Sequence, residues 1–197
     1  MLMNTYIATG EGANRYEKIP VQIYEEPATA VVTVAKEIAN LIRSKAEKNE
    51  KCVLGLATGS SPIKLYEELV RMHKEEGLSF QNVITFNLDE YLPMPKESEQ
   101  SYHYFMHHHL FDHIDIDPAN IHIPDGTLTS EEIEKFCKAY DQQIESAGGI
   151  DLQVLGIGRT GHIGFNEPGS LPTSTTRMVY LNDLTIQDLS LIHISEP

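Results

Sequence analysis

Residues 51–62 read KCVLGLATGSSP. An unbroken apolar run ends at Thr58, and a turn of glycine, serine and proline follows. A run with no polar alternation fits a strand covered on both faces, the usual situation in a parallel sheet. Beyond the turn, Leu65, Leu69 and Met72 recur at helical spacing from Pro62 to Glu76, and Gly77 supplies the stop. Strand, short polar turn and helix therefore follow one another, which is half of a βαβ unit.

The same alternation extends in both directions. VQIYE (21–25) reads as a strand, and Pro27 to Asn49 as a helix with Val31, Val34, Ala35, Ile38, Leu41 and Ile42 on one face. NVITFN (82–87) reads as a strand, Ser101 to Ile114 as a helix and NIHI (120–123) as a strand. Thr129 opens a further helix carrying Ile133, Phe136, Cys137, Tyr140 and Ile144, which ends at Gly148-Gly149. DLQVLGIG (151–158) and TTRMVYL (175–181) read as strands. No repeat, low-complexity run or linker interrupts the pattern, so 1–197 is expected to form a single α/β domain. The predicted fold class is α/β: a parallel sheet with helices on both faces. Ligands of such folds sit at the carboxyl ends of the strands. That rule selects three loops, 58–62, 87–95 and 158–172.

Composition narrows the function. Hydrophobic residues make up 41% of the 197, ordinary for a globular domain. No apolar stretch reaches the roughly 18–20 residues of a membrane span. The opening segment MLMNTYIATGEGANRYEK has neither the basic start nor the apolar core of a signal peptide. Cys52 and Cys137 show no metal-type spacing and read as reduced residues, so a cytoplasmic setting is expected. A net charge of −14 argues against nucleic acid and anionic membranes as partners. It also repels anionic ligands at long range, so a phosphate-bearing substrate needs donors gathered locally.

Each selected loop has a chemical reading and a plainer one. In TGSSP (58–62), Thr58, Ser60 and Ser61 offer hydroxyls, Gly59 permits the turn, and the helix start presents free N–H groups. An ordinary helix cap explains the same residues. In FNLDEYLPM (86–94), Asp89 and Glu90 follow a strand directly. Successive side chains point to opposite sides, so one carboxylate faces the cleft as a candidate general base and the other faces solvent or a partner. A solvated acidic turn is the alternative. In GIGRTGHIGFNEP (156–168), His162 can exchange a proton near neutral pH, Glu167 can support its charge, and the glycines, Gly161 among them, leave room for a ligand. A glycine-rich turn with one satisfied histidine is the alternative, and the strand-end position beside two other polar loops weighs against it. SYHYFMHHHLFDHI places His109 and His113 four apart, a zinc-like spacing, but no HExxH and no completing thiol or carboxylate accompany them. A packing helix with exposed imidazoles is the better reading, and no metal is predicted.

TGSSP, FNLDEYLPM, SYHYFM, FDHIDI and GIGRTGHIGFNEPGS together resemble the glucosamine-6-phosphate deaminase (glucosamine-6-phosphate isomerase) family, in order, over about residues 20–180. The resemblance implies a Rossmann-like α/β domain. It also implies conversion of glucosamine 6-phosphate and water to fructose 6-phosphate and ammonia, without metal or organic cofactor. It makes Asp89 the general base between C2 and C1, His162 the ring-opening group and Glu167 its carboxylate partner. The TGSSP turn and Gly161 are implied to contact the sugar phosphate. Many members carry Asp two residues before the histidine; here Thr160 stands there and offers only a neutral hydrogen bond. Ser170 and Arg177 match positions some members use for an allosteric sugar phosphate, but Val179 replaces the expected lysine, so that regulation is not predicted. Family members usually continue further, with a lysine and an arginine that clamp the phosphate, and LSLIHISEP (189–197) resembles translated adaptor sequence. A truncated gene product is therefore expected. The resemblance leaves a homo-oligomer open, because members occur as monomers and hexamers. The alternatives are a 6-phosphogluconolactonase-like hydrolase of the same fold group, or a non-catalytic sugar-phosphate-binding module. The absence of a basic helix-turn-helix disfavours the latter.

Overall fold

Four strands, all parallel, lie in the order β3-β2-β1-β4 in a computed structural model that describes residues 20–186 and 189. Most of the predicted tail 189–197 and the opening segment lie outside the described residues. In chain order the elements are α1 (Pro27–Glu47), β1 (Cys52–Leu56), α2 (Ser60–Glu76), β2 (Val83–Asn87), α3 (Tyr102–His109), β3 (Ile121–His122), α4 (Ser130–Ser146) and β4 (Leu152–Gln153). Strand β1 is the centre, paired with β2 from Cys52↔Val83 to Leu56↔Asn87 and with β4 at Leu54↔Leu152 and Gly55↔Gln153.

The apolar run at 52–56 is buried at every position, as a strand covered on both faces requires. Its residues divide by the two-residue period of a strand. Cys52, Leu54 and Leu56 join Ala35, Ile38 and Ile42 of α1 and Leu65, Tyr66, Leu69 and Met72 of α2 in the main core. Val53 points the other way, where with Phe86 it meets Tyr140 of α4. Helices thus cover both faces, α1 to α3 on one and α4 on the other. Both cysteines are free; burial pushes the Cys52 thiol up to about 12.

Three expectations need correction. VQIYE is not a strand: only Ile23 has a bridge, and Val21 and Ile23 are exposed. The predicted 101–114 helix breaks after His109 into a 3-10 turn, Phe111–His113, with Leu110 at φ −139°. TTRMVYL is no strand either. Thr176 hydrogen-bonds Asp141 of α4 through its amide and hydroxyl, Arg177 bonds the Asn166 side chain at 2.9 Å, and Tyr180 is left 86% exposed. Side-chain anchors set this path, with no ladder partner alongside among the described residues. For the same reason β4 is two residues long: among the described residues β1 is its sole strand partner, and Leu155 and Ile157 run out exposed.

Candidate active site

A parallel sheet puts every strand's carboxyl end on one rim, so the loops after β1, β2 and β4 emerge together. Chain order reverses at β1, with β2 on one side and β4 on the other, which makes this rim the topological switch point. Contacts of named residues confirm that the three loops meet. Tyr91 of the second loop, Tyr102 at the start of α3 and Phe165 of the third form one aromatic cluster, with ring centroids 4.8, 5.2 and 5.8 Å apart. The Tyr102 hydroxyl donates to Tyr91 at 3.0 Å and also meets the Thr58 hydroxyl of the first loop.

Asp89 and Glu90 divide as their alternation predicts. Glu90 turns to the start of α3. Its two oxygens accept from the amides of Tyr91, Tyr102 and His103 and from the Ser101 hydroxyl, at 2.8–3.1 Å. The Tyr102 and His103 amides belong to the first turn of α3, where amides lack intrahelical acceptors, and a carboxylate there also favours the helix dipole. Asp89 turns to the third loop, where the Phe165 amide donates to it and its Oδ2 comes within 3.0 Å of where a Cβ on Gly164 would stand. Gly164 has φ +56°, so both its backbone and the close carboxylate demand glycine. Burial first, and then the neighbouring Glu90 charge, push the Asp89 carboxyl up to about 7 against the Phe165 hydrogen bond.

His162 lies two residues from Gly164, with its ring packed over Gly158. A Cβ there would fall 2.1 Å from His162 Cε1. The Gly158 amide donates to the His162 carbonyl and the Gly161 amide to the Gly158 carbonyl, both at 2.9 Å, so the loop is a closed turn. Its Nδ1 stands 2.9 Å from the Thr160 hydroxyl and 3.4 Å from that of Thr185. Glu167 makes no direct bond to the ring. Its Oε1 accepts from the Asn182 amide at 3.3 Å, and its Oε2 is buried without a hydrogen-bond partner in range. The Thr185 hydroxyl, the Asn182 amide, the His162 charge and the Thr160 hydroxyl hold the Glu167 carboxyl below its usual range.

In the first loop, Ser60 and Ser61 are exposed at the start of α2, and Gly59 caps that helix with φ +106° and no side-chain bond. The α2 helix begins two residues earlier than periodicity indicates, so both serines belong to its first turn. A cavity of about 920 Å³ opens beside Asp89, between the second loop, Phe165, α4 and residues 170–181. It takes in Asp89, Ser170 and Arg177 but neither His162, Glu167 nor the 58–61 turn. Of the histidines in this segment, His107 of α3 faces Asp112 at 2.8 Å and His113 of the 3-10 turn faces the His108 carbonyl at 2.8 Å. Sequence reasoning missed Thr185 and the Glu90 anchor. No motif marks Thr185, and what gives it a place beside His162 is the fold alone.

The geometry has counterparts among known proteins. A family model described as glucosamine-6-phosphate isomerases/6-phosphogluconolactonase matches residues 25–183. A glucosamine-6-phosphate deaminase of Clostridium botulinum is 46% identical over 172 residues, covering 87% of this chain and 67% of that protein. One from Thermoanaerobacter sp. is 48% identical over 153 residues, covering 78% and 60%. The solved structure of a monomeric glucosamine-6-phosphate deaminase superposes with TM-score 0.78 at 42% identity, over 84% of this chain and 66% of that one. The 6-phosphogluconolactonase of Thermotoga maritima superposes with TM-score 0.58 at 30% identity, over 68% and 58%. Against three of the curated deaminases it matches, the chain spans 58–63% of their length. Family match, sequence identity and superposition agree, and the chain belongs to the glucosamine-6-phosphate isomerase/6-phosphogluconolactonase family.

Proposed function

We propose that this chain carries the isomerising deamination of glucosamine 6-phosphate to fructose 6-phosphate and ammonia, in a cytoplasmic setting and without metal or organic cofactor. Asp89 is the base, His162 opens the pyranose ring, and Glu167 supports the imidazole. Thr58, Gly59, Ser60, Ser61 and Gly161 contact the sugar phosphate. The observation that carries the reading is the Asp89 carboxyl, held near pH 7 by burial and pressed against the loop that bears His162. A carboxylate with that affinity for protons is a stronger base than an exposed one, yet half of it is ionised at neutral pH.

Each step follows from these groups. His162 moves a proton to the ring oxygen as the C1 hydroxyl loses its own, which exposes the C1 aldehyde. Asp89 takes the C2 proton, exchanges it with solvent water and delivers a proton to C1, while the C1 oxygen gains the proton that the amine gives up, leaving an imine at C2 beside a C1 hydroxymethyl group. Water adds at C2 and ammonia departs, giving the ketone. Proton transfers suffice throughout. The hydrolysis of a 6-phosphogluconolactone, performed by other members of the fold group, needs no base at C2 and gives a raised Asp89 no task.

Turnover in heavy water tests the assignment. Deuterium is expected at C1 of the fructose 6-phosphate formed. Product lacking it would remove the proton-transfer role from Asp89, and hydrolysis of 6-phosphogluconolactone in place of ammonia release would support the lactonase reading.

A further inference from the structure

Arg177 ties its own segment to the third loop. One Nη donates to the Ser174 hydroxyl at 3.0 Å and the Thr175 carbonyl at 3.3 Å. The other donates to the Asn166 side-chain oxygen at 2.9 Å and the Ser170 hydroxyl at 3.3 Å, both in the third loop. A guanidinium presents its donors in a rigid planar fork, so bonds at both prongs fix the two segments relative to each other. Asn166 closes a tight turn: its amide bonds the Ile163 carbonyl at 3.0 Å, and the Ile163 amide bonds its carbonyl at 3.2 Å. Inside that turn sits Phe165, whose amide donates to Asp89.

Behind Arg177 the connection continues to the sheet. Thr176 bonds Asp141 of α4 through its amide and hydroxyl. The preceding residue, Tyr140, has its hydroxyl within donating distance of the Asn87 carbonyl, at 2.9 Å, and the His122 carbonyl, at 3.1 Å. Asn87 ends β2, two residues before Asp89. The links therefore close into a ring that leaves Asp89 by way of Phe165 and returns to β2 at Asn87. Other contacts hold the third loop against the rim: the Asn182 amide reaches Glu167 at 3.3 Å, and Phe165 packs on Tyr91 and Tyr102. Arg177 fixes the turn from the α4 side.

We infer that Arg177 is a positioning residue, whose guanidinium fork closes this ring and holds the turn 163–166 where the Phe165 amide meets Asp89. Its use rests on the reading of Asp89 as the base, since a proton moved between C2 and C1 needs a carboxylate held in one place. The ring itself is tested without turnover, so the two stand or fall separately.

The probe is hydrogen exchange of the Phe165 amide in the ¹⁵N-labelled full chain, read as a protection factor. Arg177→Met keeps most of the stem and removes the fork, and because Arg177 is exposed it leaves no hole in the core. It is expected to lower protection at Phe165 about fivefold, with the amides of β1 unchanged. Asn166→Ala removes the accepting end and is expected to do the same, and the double variant to lose no more than either single, as two halves of one link should. In ammonia release, Arg177→Met is expected to lower kcat about fivefold with KM little changed. Unchanged protection at Phe165 in Arg177→Met would overturn the inference, and so would losses that add in the double variant. A rise in KM with kcat intact would also overturn it, because that marks a direct substrate contact. Should Arg177→Met fail to fold, Asn166→Ala alone reads the link, and full protection at Phe165 there overturns it. A wild type whose Phe165 protection depends on Arg177 but which releases no ammonia removes the base assignment and leaves the ring standing.

Discussion

Replacing Asp89 by asparagine is expected to make the protein more stable above neutral pH while removing its activity. The carboxyl has an ordinary value of 3.8 in the unfolded chain and about 7 in the fold. Between those values the native state binds more protons than the unfolded state, so stability falls as pH rises. The contribution is fully present below pH 3.8, declines across the window and is spent once pH passes 7. Three pKa units at 1.36 kcal/mol each make the total roughly 4 kcal/mol. Asparagine cannot ionise and escapes that loss, though it accepts a weaker bond from the Phe165 amide. Urea denaturation of the two proteins at several pH values between 4 and 8 measures the difference directly, and groups common to both cancel. The advantage of Asp89→Asn should be small near pH 4 and grow to about 4 kcal/mol by pH 8. A difference that stays constant across this range would refute the claim that Asp89 is ionised against its surroundings, and the base assignment with it.

Further outcomes follow from the same geometry. The rate of ammonia release should rise with pH along a limb centred near 7, as Asp89 ionises, and a pH-rate profile of kcat reads it; a limb centred near 4 would mean a solvated carboxylate. Glu90→Ala takes an acceptor from the Tyr91, Tyr102 and His103 amides and the Ser101 hydroxyl, of which only the His103 amide keeps another in Ser101 Oγ, and should lower stability by about 2–3 kcal/mol in urea melts. It should also shift the kcat limb to lower pH, because a repelling charge beside Asp89 is gone. Gly158→Ala pushes a methyl into the His162 ring and should lower kcat at least tenfold with a melting temperature nearly unchanged, since the loop is largely exposed.

What the sequence disclosed is what local chemistry controls. The buried run 52–56, the α1 and α2 faces and the helix start at Thr129 all follow from periodicity and end signals that need no partner. The rim also followed, because a parallel sheet leaves its loops no other place. The short β4 and the path of 175–181 did not, since both depend on what lies beside them: one strand neighbour for β4, and Asp141 and Asn166 as anchors for Thr176 and Arg177. On α4, Ile133, Phe136, Cys137 and Ile144 have the pattern of a core face, yet Tyr140 is the helix's one fully buried member. Val53 and Phe86, with the partly buried Ile84, rise from the sheet to meet it.

The adjacent pair at 89–90 shows why a motif locates chemistry without assigning it. Two carboxylates leave one strand end on opposite sides. One finds four donors, three of them at the mouth of a helix, and becomes an anchor; the other finds the Phe165 amide and the close approach of Gly164. The anchor then acts on its neighbour twice. It fixes the turn that aims Asp89, and its charge adds to the burial that raises Asp89 towards neutrality. Exchanging the two residue types would not exchange the roles, because glutamate at 89 would reach one carbon further into the space beside Gly164, where 3.0 Å already separates the carboxylate from a hypothetical methyl. The order Asp-Glu is therefore set by reach: the short side chain where the loop is close, the long one where four donors must be spanned.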